Sequence, residues 1–183
     1  MGRSRFGPSV FGCQAPDSGN AEILAKFGTD DQKERFLKPL LNAEIASCYS
    51  MTEPQAGADP GEFLCTATRD GDEWVINGEK WFASHARFSA FLLVMVVTNP
   101  DVPIHKGASI FLVEQGTPGM DIIRNSAVGP YVEQGDGVHA YIEFKNCRVP
   151  ANNLLGEEGD GFLVAQTRLG GGRVHHAMRS VGV

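Results

Sequence analysis

The sequence has no excess of positive charge: 16 lysines and arginines stand against 22 aspartates and glutamates, and the formal net charge is −6. A nucleic-acid surface needs a basic stripe that releases counterions, so this class of partner is excluded. The sequence also lacks a long apolar run. Its longest, residues 90–97, is too short for a membrane span and fits a buried strand.

Three sequence patterns that would indicate a particular kind of site are absent. The four cysteines, at 13, 48, 65 and 147, form no C-x-x-C pair, which predicts reduced thiols in a cytoplasmic protein. The five histidines have no ligand spacing, so no metal site is expected. No G-x-G-x-x-G follows a predicted strand, which argues against a Rossmann mode of cofactor binding.

The period of the apolar residues changes along the chain and divides it into three parts. Residues 18–46 read as helical, with a capping box at Thr29 to Gln32. From Ser47 the period becomes two, and short strands follow one another, with a hairpin turn predicted at Asn77-Gly78 and a glycine-rich loop at Gly129, Gly135 and Gly137. A helix is predicted from Gly161 past Arg173 to the end of the chain. This order predicts an α+β fold in which an antiparallel β-barrel or sandwich is flanked by helices.

The chain is organised around residues 47–59, SCYSMTEPQAGAD. The residue before a proline avoids the helical region, so Glu53 is expected to end a strand. Thr52 would then present a hydroxyl at an open rim, and Gly57 would let backbone approach a ligand. From these residues alone, a strand end that binds no ligand is equally compatible.

Three stretches together resemble the acyl-CoA dehydrogenase family. Residues 52–59, TEPQAGAD, are similar to its T-E-P-x-A-G-S-D signature, and residues 77–84, NGEKWFAS, to its N-G-x-K-x-W-I-[TS] signature. Residues 168–179, RLGGGRVHHAMR, resemble the helix that opens its C-terminal domain. The resemblance implies the end of an N-terminal helical domain at 1–46, a middle β domain for flavin and acyl-CoA at 47–157, and a truncated first helix of a C-terminal helical domain at 158–183.

For the cofactor, the resemblance implies FAD. Thr52 would bond the pyrimidine edge of the isoalloxazine, Ser84 would approach its N5 side, and Ala83 would give a backbone contact. The expected FAD contacts are Tyr49, Met51, Thr52, Gly57, Ala58, Phe82, Ala83 and Ser84. Phe82 departs from the family, which has tryptophan there, and Trp81 is expected on the opposite face of its strand.

For the substrate, the resemblance implies contacts from Ala58, Gly170 and Arg173. Ala58 replaces a family serine, which removes one hydrogen bond worth about 1 kcal/mol. No catalytic base is expected among these residues, because Gly170 to Gly172 leave no carboxylate beside Arg173 and the usual glutamate would lie beyond Val183.

The implied reaction, in fatty acid metabolism, is α,β-dehydrogenation of an acyl-CoA thioester with hydride transfer to FAD. Electron-transfer flavoprotein is the implied acceptor, and a homodimer or homotetramer the implied assembly. Two alternatives stay open: a flavin monooxygenase or acyl-CoA oxidase of the same fold, and a non-catalytic β domain that binds a partner or ligand.

Overall fold

The computed structural model describes residues 4, 6–128, 131–132 and 138–182. The glycines at 129, 135 and 137, read above as a loop, lie outside the described residues. The helical elements are α1 Gly7–Val10, α2 Asp17–Phe27, α3 Asp30–Gln32, a π-helical turn Lys33–Leu37, α4 Lys38–Leu41, α5 Ile104–Gly107 and α6 Gly161–Gly182, with 3₁₀ turns at Pro60–Glu62 and Ala151–Asn153.

The predicted capping box begins α3. The Thr29 hydroxyl accepts from the Gln32 backbone N–H, and the Gln32 side chain accepts from the Thr29 backbone N–H, each at 3.2 Å. Two donors that a helix start leaves unpaired are thereby satisfied. The Gln32 amide also donates to the carbonyls of Asn152 and Leu154 at 2.8 Å, which ties this helix start to the far end of the β region. The prediction is confirmed.

The strands are β1 Ser47–Ser50, β2 Thr66–Asp70, β3 Glu73–Ser84, β4 Phe91–Val97, β5 Ala108–Glu114, β6 Met120–Asn125, β7 Ala127–Val128, β8 Tyr131–Val132 and β9 His139–Pro150. Seven of these form one sheet, and β7 pairs with β8 apart from it. Across the sheet, β5 pairs with β4, β3 pairs with β9, and β9 pairs with β6. Between β4 and β3 lie both β1 and β2, end to end, each paired to both neighbours.

The sheet is mixed and open, so the fold class is confirmed as α+β while two details of the prediction are wrong. Strands β1 and β2 run parallel to β4, although the other pairings are antiparallel, and the sheet does not close into a barrel. It curls instead: Trp74 of β3 meets Phe111 of β5 with ring centroids 5.3 Å apart, inside one apolar core. The outer face of β4 and β5 packs on α2 and α6 in a second core.

The hairpin predicted at Asn77-Gly78 is also wrong, because β3 runs unbroken through both residues. Gly78 has φ +135°, and its pairing with β9 shifts register there, which makes a β-bulge. A Cβ at Gly78 would lie 2.6 Å from the Cys65 Cα, so only glycine fits. The Asn-Gly dipeptide therefore coincides with a positive φ, at Gly78, but the irregularity is a β-bulge and not a hairpin turn.

Candidate functional site

A row of three residues crosses the sheet where β1 and β3 end and β9 begins. Tyr49 of β1 lies opposite Ser84 of β3, and Ser84 lies opposite His139 of β9. Residues directly opposite in neighbouring strands project to the same face of a sheet. Tyr49 and Met51 pack against the helix-side core, so the row faces the helices. Ala83 has the other orientation and is buried in the inner core, which leaves only its backbone toward this face.

Thr52 follows β1 and is fixed to β3 through the backbone. Its carbonyl accepts a hydrogen bond of 2.7 Å from the Trp81 N–H, although β1 itself has already ended at Ser50. The segment from Tyr49 to Thr52 therefore lies along the end of β3. The two predicted hydroxyl-bearing residues, Thr52 and Ser84, are thus brought to the same edge of the sheet, and both side chains are half-buried.

A second bulge in β3 shapes the aromatic part of this edge. Phe82 has φ +53°, and the register with β9 shifts between Lys80 and Ala83. The shift breaks the two-residue alternation, so the Trp81 and Phe82 rings stack with centroids 5.0 Å apart and an interplanar angle of 10°. The expectation that Trp81 takes the opposite face is therefore wrong. Phe82 remains 38% exposed and offers an apolar ring to solvent or a ligand.

His139 is a residue of this edge that the sequence reasoning missed. Its Nδ1 lies 2.9 Å from the Ser84 Oγ, and the imidazole tautomer decides which of the two donates. Its ring also meets Phe82 edge-on, with centroids 6.1 Å apart. Only a β9–β3 register could have identified it, since 55 residues separate it from Ser84.

Arg168 of α6 was also missed, although it stands in the third motif. Its guanidinium carbon lies 3.9 Å from the centroid of the Tyr49 ring, and its Nε donates to the Asn20 Oδ1 at 2.7 Å. Burial raises the pKa of Tyr49 to about 12, although the Arg168 charge opposes the rise, and burial lowers the pKa of Arg168. This cation–π contact ties α6 to β1.

The predicted substrate residues are not gathered at this edge. Arg173 is exposed and bonds Gln166 within α6 at 3.1 Å, and a side chain at Gly170 would meet nothing within 4 Å. Gly57 and Ala58 lie at the exposed tip of the loop between β1 and β2, where Gly57 also has open space around it. A cavity of about 240 Å³ between α2 and α6 is lined by Arg168, Gly171 and Gly172, among others.

A larger cavity, of about 780 Å³, lies elsewhere. It is bounded by α2, α4 and the turn after β3, and Leu40, Ile45 and Phe88 contribute to its wall. None of the predicted site residues lines it, so its size alone does not mark the site. Among the residues that the structure describes, no group of three histidines, cysteines or acidic residues could hold a metal ion. In the same part of the chain, no helix is long and apolar enough to span a bilayer.

The chemistry of this edge suits a flat, partly polar ring. An exposed aromatic face, from Phe82, stands beside two hydroxyls that can each donate and accept. An isoalloxazine has an apolar face and a polar rim, so the residues present fit it. The acidic side chain of the first motif, Glu53, is buried and hydrogen-bonded below the surface, so it does not present a carboxylate at this edge.

Comparisons with known proteins agree with this geometry. Residues 48–147 match the profile of the acyl-CoA dehydrogenase middle domain. The chain is 47% identical over 178 residues to a Mycobacterium tuberculosis protein described as "Probable acyl-CoA dehydrogenase FadE2" and 45% identical over 186 residues to human acyl-CoA dehydrogenase family member 11. A solved structure from Mycobacterium abscessus, provisionally assigned as an acyl-CoA dehydrogenase, superposes with a TM-score of 0.90 at 42% identity.

These matches cover almost all of this chain but less than half of each relative. The chain spans 43% of the M. tuberculosis protein, 24% of the human one and 45% of the M. abscessus chain, while 96%, 100% and 100% of this chain are covered.

Proposed function

This chain belongs to the acyl-CoA dehydrogenase family, and from that premise we propose that it forms the flavin-binding part of an FAD-dependent acyl-CoA dehydrogenase. When bound, FAD supplies the hydride acceptor for α,β-dehydrogenation of an acyl-CoA thioester. The protein's task is then to hold the ring, orient its edge and keep water from its face.

One observation carries the proposal: Thr52 and Ser84, which are 32 positions apart in sequence, end at the same edge of the sheet. The 2.7 Å bond from the Trp81 N–H to the Thr52 carbonyl and the Tyr49–Ser84 pairing hold them there. In the proposal, the Thr52 hydroxyl bonds the pyrimidine edge, the Ser84 hydroxyl approaches N5 and Phe82 covers a ring face. Tyr49, Met51, Gly57, Ala58 and the Ala83 backbone complete the FAD contacts.

The remaining assignments form part of the same proposal. Ala58, Gly170 and Arg173 would contact acyl-CoA, electron-transfer flavoprotein would accept the electrons, and the assembly would be a homodimer or homotetramer. Residues 1–46, 47–157 and 158–183 would belong to three successive domains. A cytoplasmic location is supported by the cysteines, since no disulfide joins the four, all of which the structure describes. No residue of this chain is proposed as the catalytic base.

The test is titration of the purified protein with FAD, followed by absorbance and flavin fluorescence. We compare the wild type with Thr52→Val/Ser84→Ala, which removes both hydroxyls at nearly constant shape. Each hydroxyl bond is worth about 1 kcal/mol, so FAD affinity is expected to fall by more than about tenfold. The matched control is Thr68→Val, an exposed strand position on β2.

Two results would contradict the proposal. If the wild type causes no change in the absorbance or fluorescence of added FAD, the result would favour the non-catalytic binding domain. A double variant with unchanged FAD affinity would remove Thr52 and Ser84 from the site. Acyl-CoA oxidation by the purified 183-residue chain would instead contradict the statement that it holds no catalytic base. Rapid reoxidation of the reduced full-length enzyme by air, without electron-transfer flavoprotein, would favour the oxidase or monooxygenase.

A further inference from the structure

Strands β1 and β2 occupy one strand position in the sheet, between β4 and β3, which we call the lane. The lane has a gap between the two strands. The chain leaves it after Ser50 and returns at Thr66, so the backbone groups on either side lose their strand partners. The Met51 carbonyl on one side and the N–H groups of Leu64 and Cys65 on the other would be unpaired in a sheet interior. A buried backbone group without a partner costs about as much as a lost hydrogen bond.

Two charged side chains fill this gap. The Lys80 ammonium donates to the Met51 carbonyl at 2.9 Å and to Glu53 Oε1 at 2.7 Å. The Glu53 carboxylate accepts from the Leu64 N–H at 2.7 Å and from the Cys65 N–H at 3.2 Å. The pair therefore supplies the donor that β1 lacks and the acceptor that β2 lacks.

Both partners are buried: the Lys80 side chain is 0% exposed and the Glu53 side chain 1%. The Phe63 ring closes over the ammonium, with its centroid 4.5 Å from Nζ, and the Gln55 amide donates to Glu53 Oε2 at 2.7 Å. Burial lowers the pKa of Lys80, while the carboxylate opposes that change. Such a pair is poor evidence for stability, because the cost of desolvating two charges offsets their attraction.

Its place in the sheet suggests a different role. Lys80 holds Met51, and its neighbour Trp81 holds Thr52, so two consecutive residues of β3 fix two consecutive residues of the segment after β1. Ser84 lies four positions after Lys80 in the same strand. The distance between the Thr52 and Ser84 hydroxyls therefore depends on this attachment.

We propose that Lys80 and Glu53 are positioning residues that set the spacing of the flavin-binding edge. The inference rests on the proposed function for its link to flavin, although the positioning itself concerns this chain alone. Neither side chain reaches the edge, and neither takes part in the chemistry. Loss of the attachment would let Met51 and Thr52 move relative to Ser84, and small displacements of a binding group weaken binding disproportionately.

The test uses Glu53→Gln/Lys80→Met, which removes both charges with little change of shape. The glutamine oxygen can still accept from Leu64 and Cys65, so β2 keeps its partner and only the hold on Met51 is lost. The control is Glu143→Gln/Lys145→Met, a surface pair on β9 with a 2.8 Å contact, in which Lys145 is exposed and Glu143 half-buried. Cooperative unfolding, amide hydrogen exchange at Trp81 and FAD affinity are measured for each protein.

We expect the buried-pair variant to unfold cooperatively, to exchange the Trp81 amide faster than the wild type and to bind FAD about tenfold more weakly. The control should match the wild type in all three. A folded variant with unchanged Trp81 exchange and unchanged FAD affinity overturns the inference. If the double variant does not fold, Lys80→Met alone, which also removes the bond to the Met51 carbonyl, decides by the same two measurements.

The two proposals fail in different ways. If the wild type does not bind FAD, the proposed function fails, while Trp81 exchange still reports whether the pair positions the segment. If the wild type binds FAD and the folded variant binds it equally well, the proposed function stands and the positioning role is wrong.

Discussion

Strands β4 and β5 and the lane of β1 and β2 belong to one sheet but are held in different ways. The β4–β5 ladder pairs residues 91–97 with 108–114 without interruption, and apolar side chains bury both of its faces. In contrast, β1 pairs with β3 only at Tyr49 and Ser84, and the attachment continues through one backbone bond, from Trp81 to Thr52, and through the Lys80 side chain. The ladder gives the sheet its stability, whereas the lane places the candidate flavin edge.

The largest expected effect is a cavity in the ladder. Phe111→Ala should lower the free energy of unfolding by about 3–5 kcal/mol, because the ring is fully buried against Trp74. Phe88→Ala, at a ring that is 55% exposed, serves as the control and should cost less than about 0.5 kcal/mol. Denaturant unfolding measures both. Similar losses in the two variants would break the comparison, because the ladder would then not be where stability lies.

The second effect comes from two ionisable groups in the lane, Cys65 and Tyr49. Burial raises the pKa of Cys65 from 9.0 to about 12 and that of Tyr49 from 10.0 to about 12. Between these values the unfolded chain gives up protons that the folded chain retains, so stability falls as pH rises from about 9 to about 12.

Urea unfolding at several pH values across this window measures the slope. We expect the free energy of unfolding to fall progressively across the window, because the folded state of both groups retains a proton that the unfolded chain has released. Cys65→Ala/Tyr49→Phe should flatten the slope. A slope that is the same in this variant and in the wild type would assign the alkaline loss to other groups.

The third prediction concerns the attachment of β1 to α2. Asp17 Oδ1 accepts from the Ser47 N–H at 2.7 Å and from the Ser47 hydroxyl at 2.6 Å. Asp17→Ala leaves both donors without this acceptor and should cost about 1–2 kcal/mol. Asp31→Ala, at an exposed helix pair with Arg35, should cost about 0.5 kcal/mol or less. Equal unfolding midpoints for the two variants would mean that β1 does not depend on side-chain bonds.

The smallest effect is expected at Ser84. His139→Ala removes the 2.9 Å partner of its hydroxyl and should weaken FAD binding about fivefold, or about 1 kcal/mol, without shifting the unfolding midpoint much. His139→Asn, whose amide can replace Nδ1, should recover part of the affinity. His105→Ala, on the exposed face of α5, is the matched control. A His139→Ala protein with wild-type affinity would show that Ser84 needs no orienting partner.

The same contrast explains what the sequence could predict. Thr29 and Gln32 act within one helical turn, so their capping box could be predicted from the sequence. The apolar run from Phe91 to Val97 likewise predicted a buried strand. Motif order located the edge residues Thr52 and Ser84. These signals are local, and each depends on a few neighbouring side chains.

Features that depend on tertiary contacts could not be predicted from the sequence. Lys80 and Glu53 look like exposed positions of polar strands, and only the gap between β1 and β2, a consequence of tertiary pairing, buries them. Trp81 was assigned to the wrong face because strict alternation was assumed, whereas the positive φ of Phe82 inserts a bulge. Arg168 and His139 depend on which elements meet, and helix or strand period carries no such information.

The divided lane also determines where this chain tolerates extra length. Residues 51–65 leave and re-enter the sheet at fixed points, so added residues can only extend outward from the exposed tip at Gly57 to Asp59. An epitope or fluorophore-bearing peptide inserted there would leave the register of both flanking strands intact. Because Gly57 and Ala58 are proposed ligand contacts, such an insertion would disturb ligand binding while the sheet stays intact.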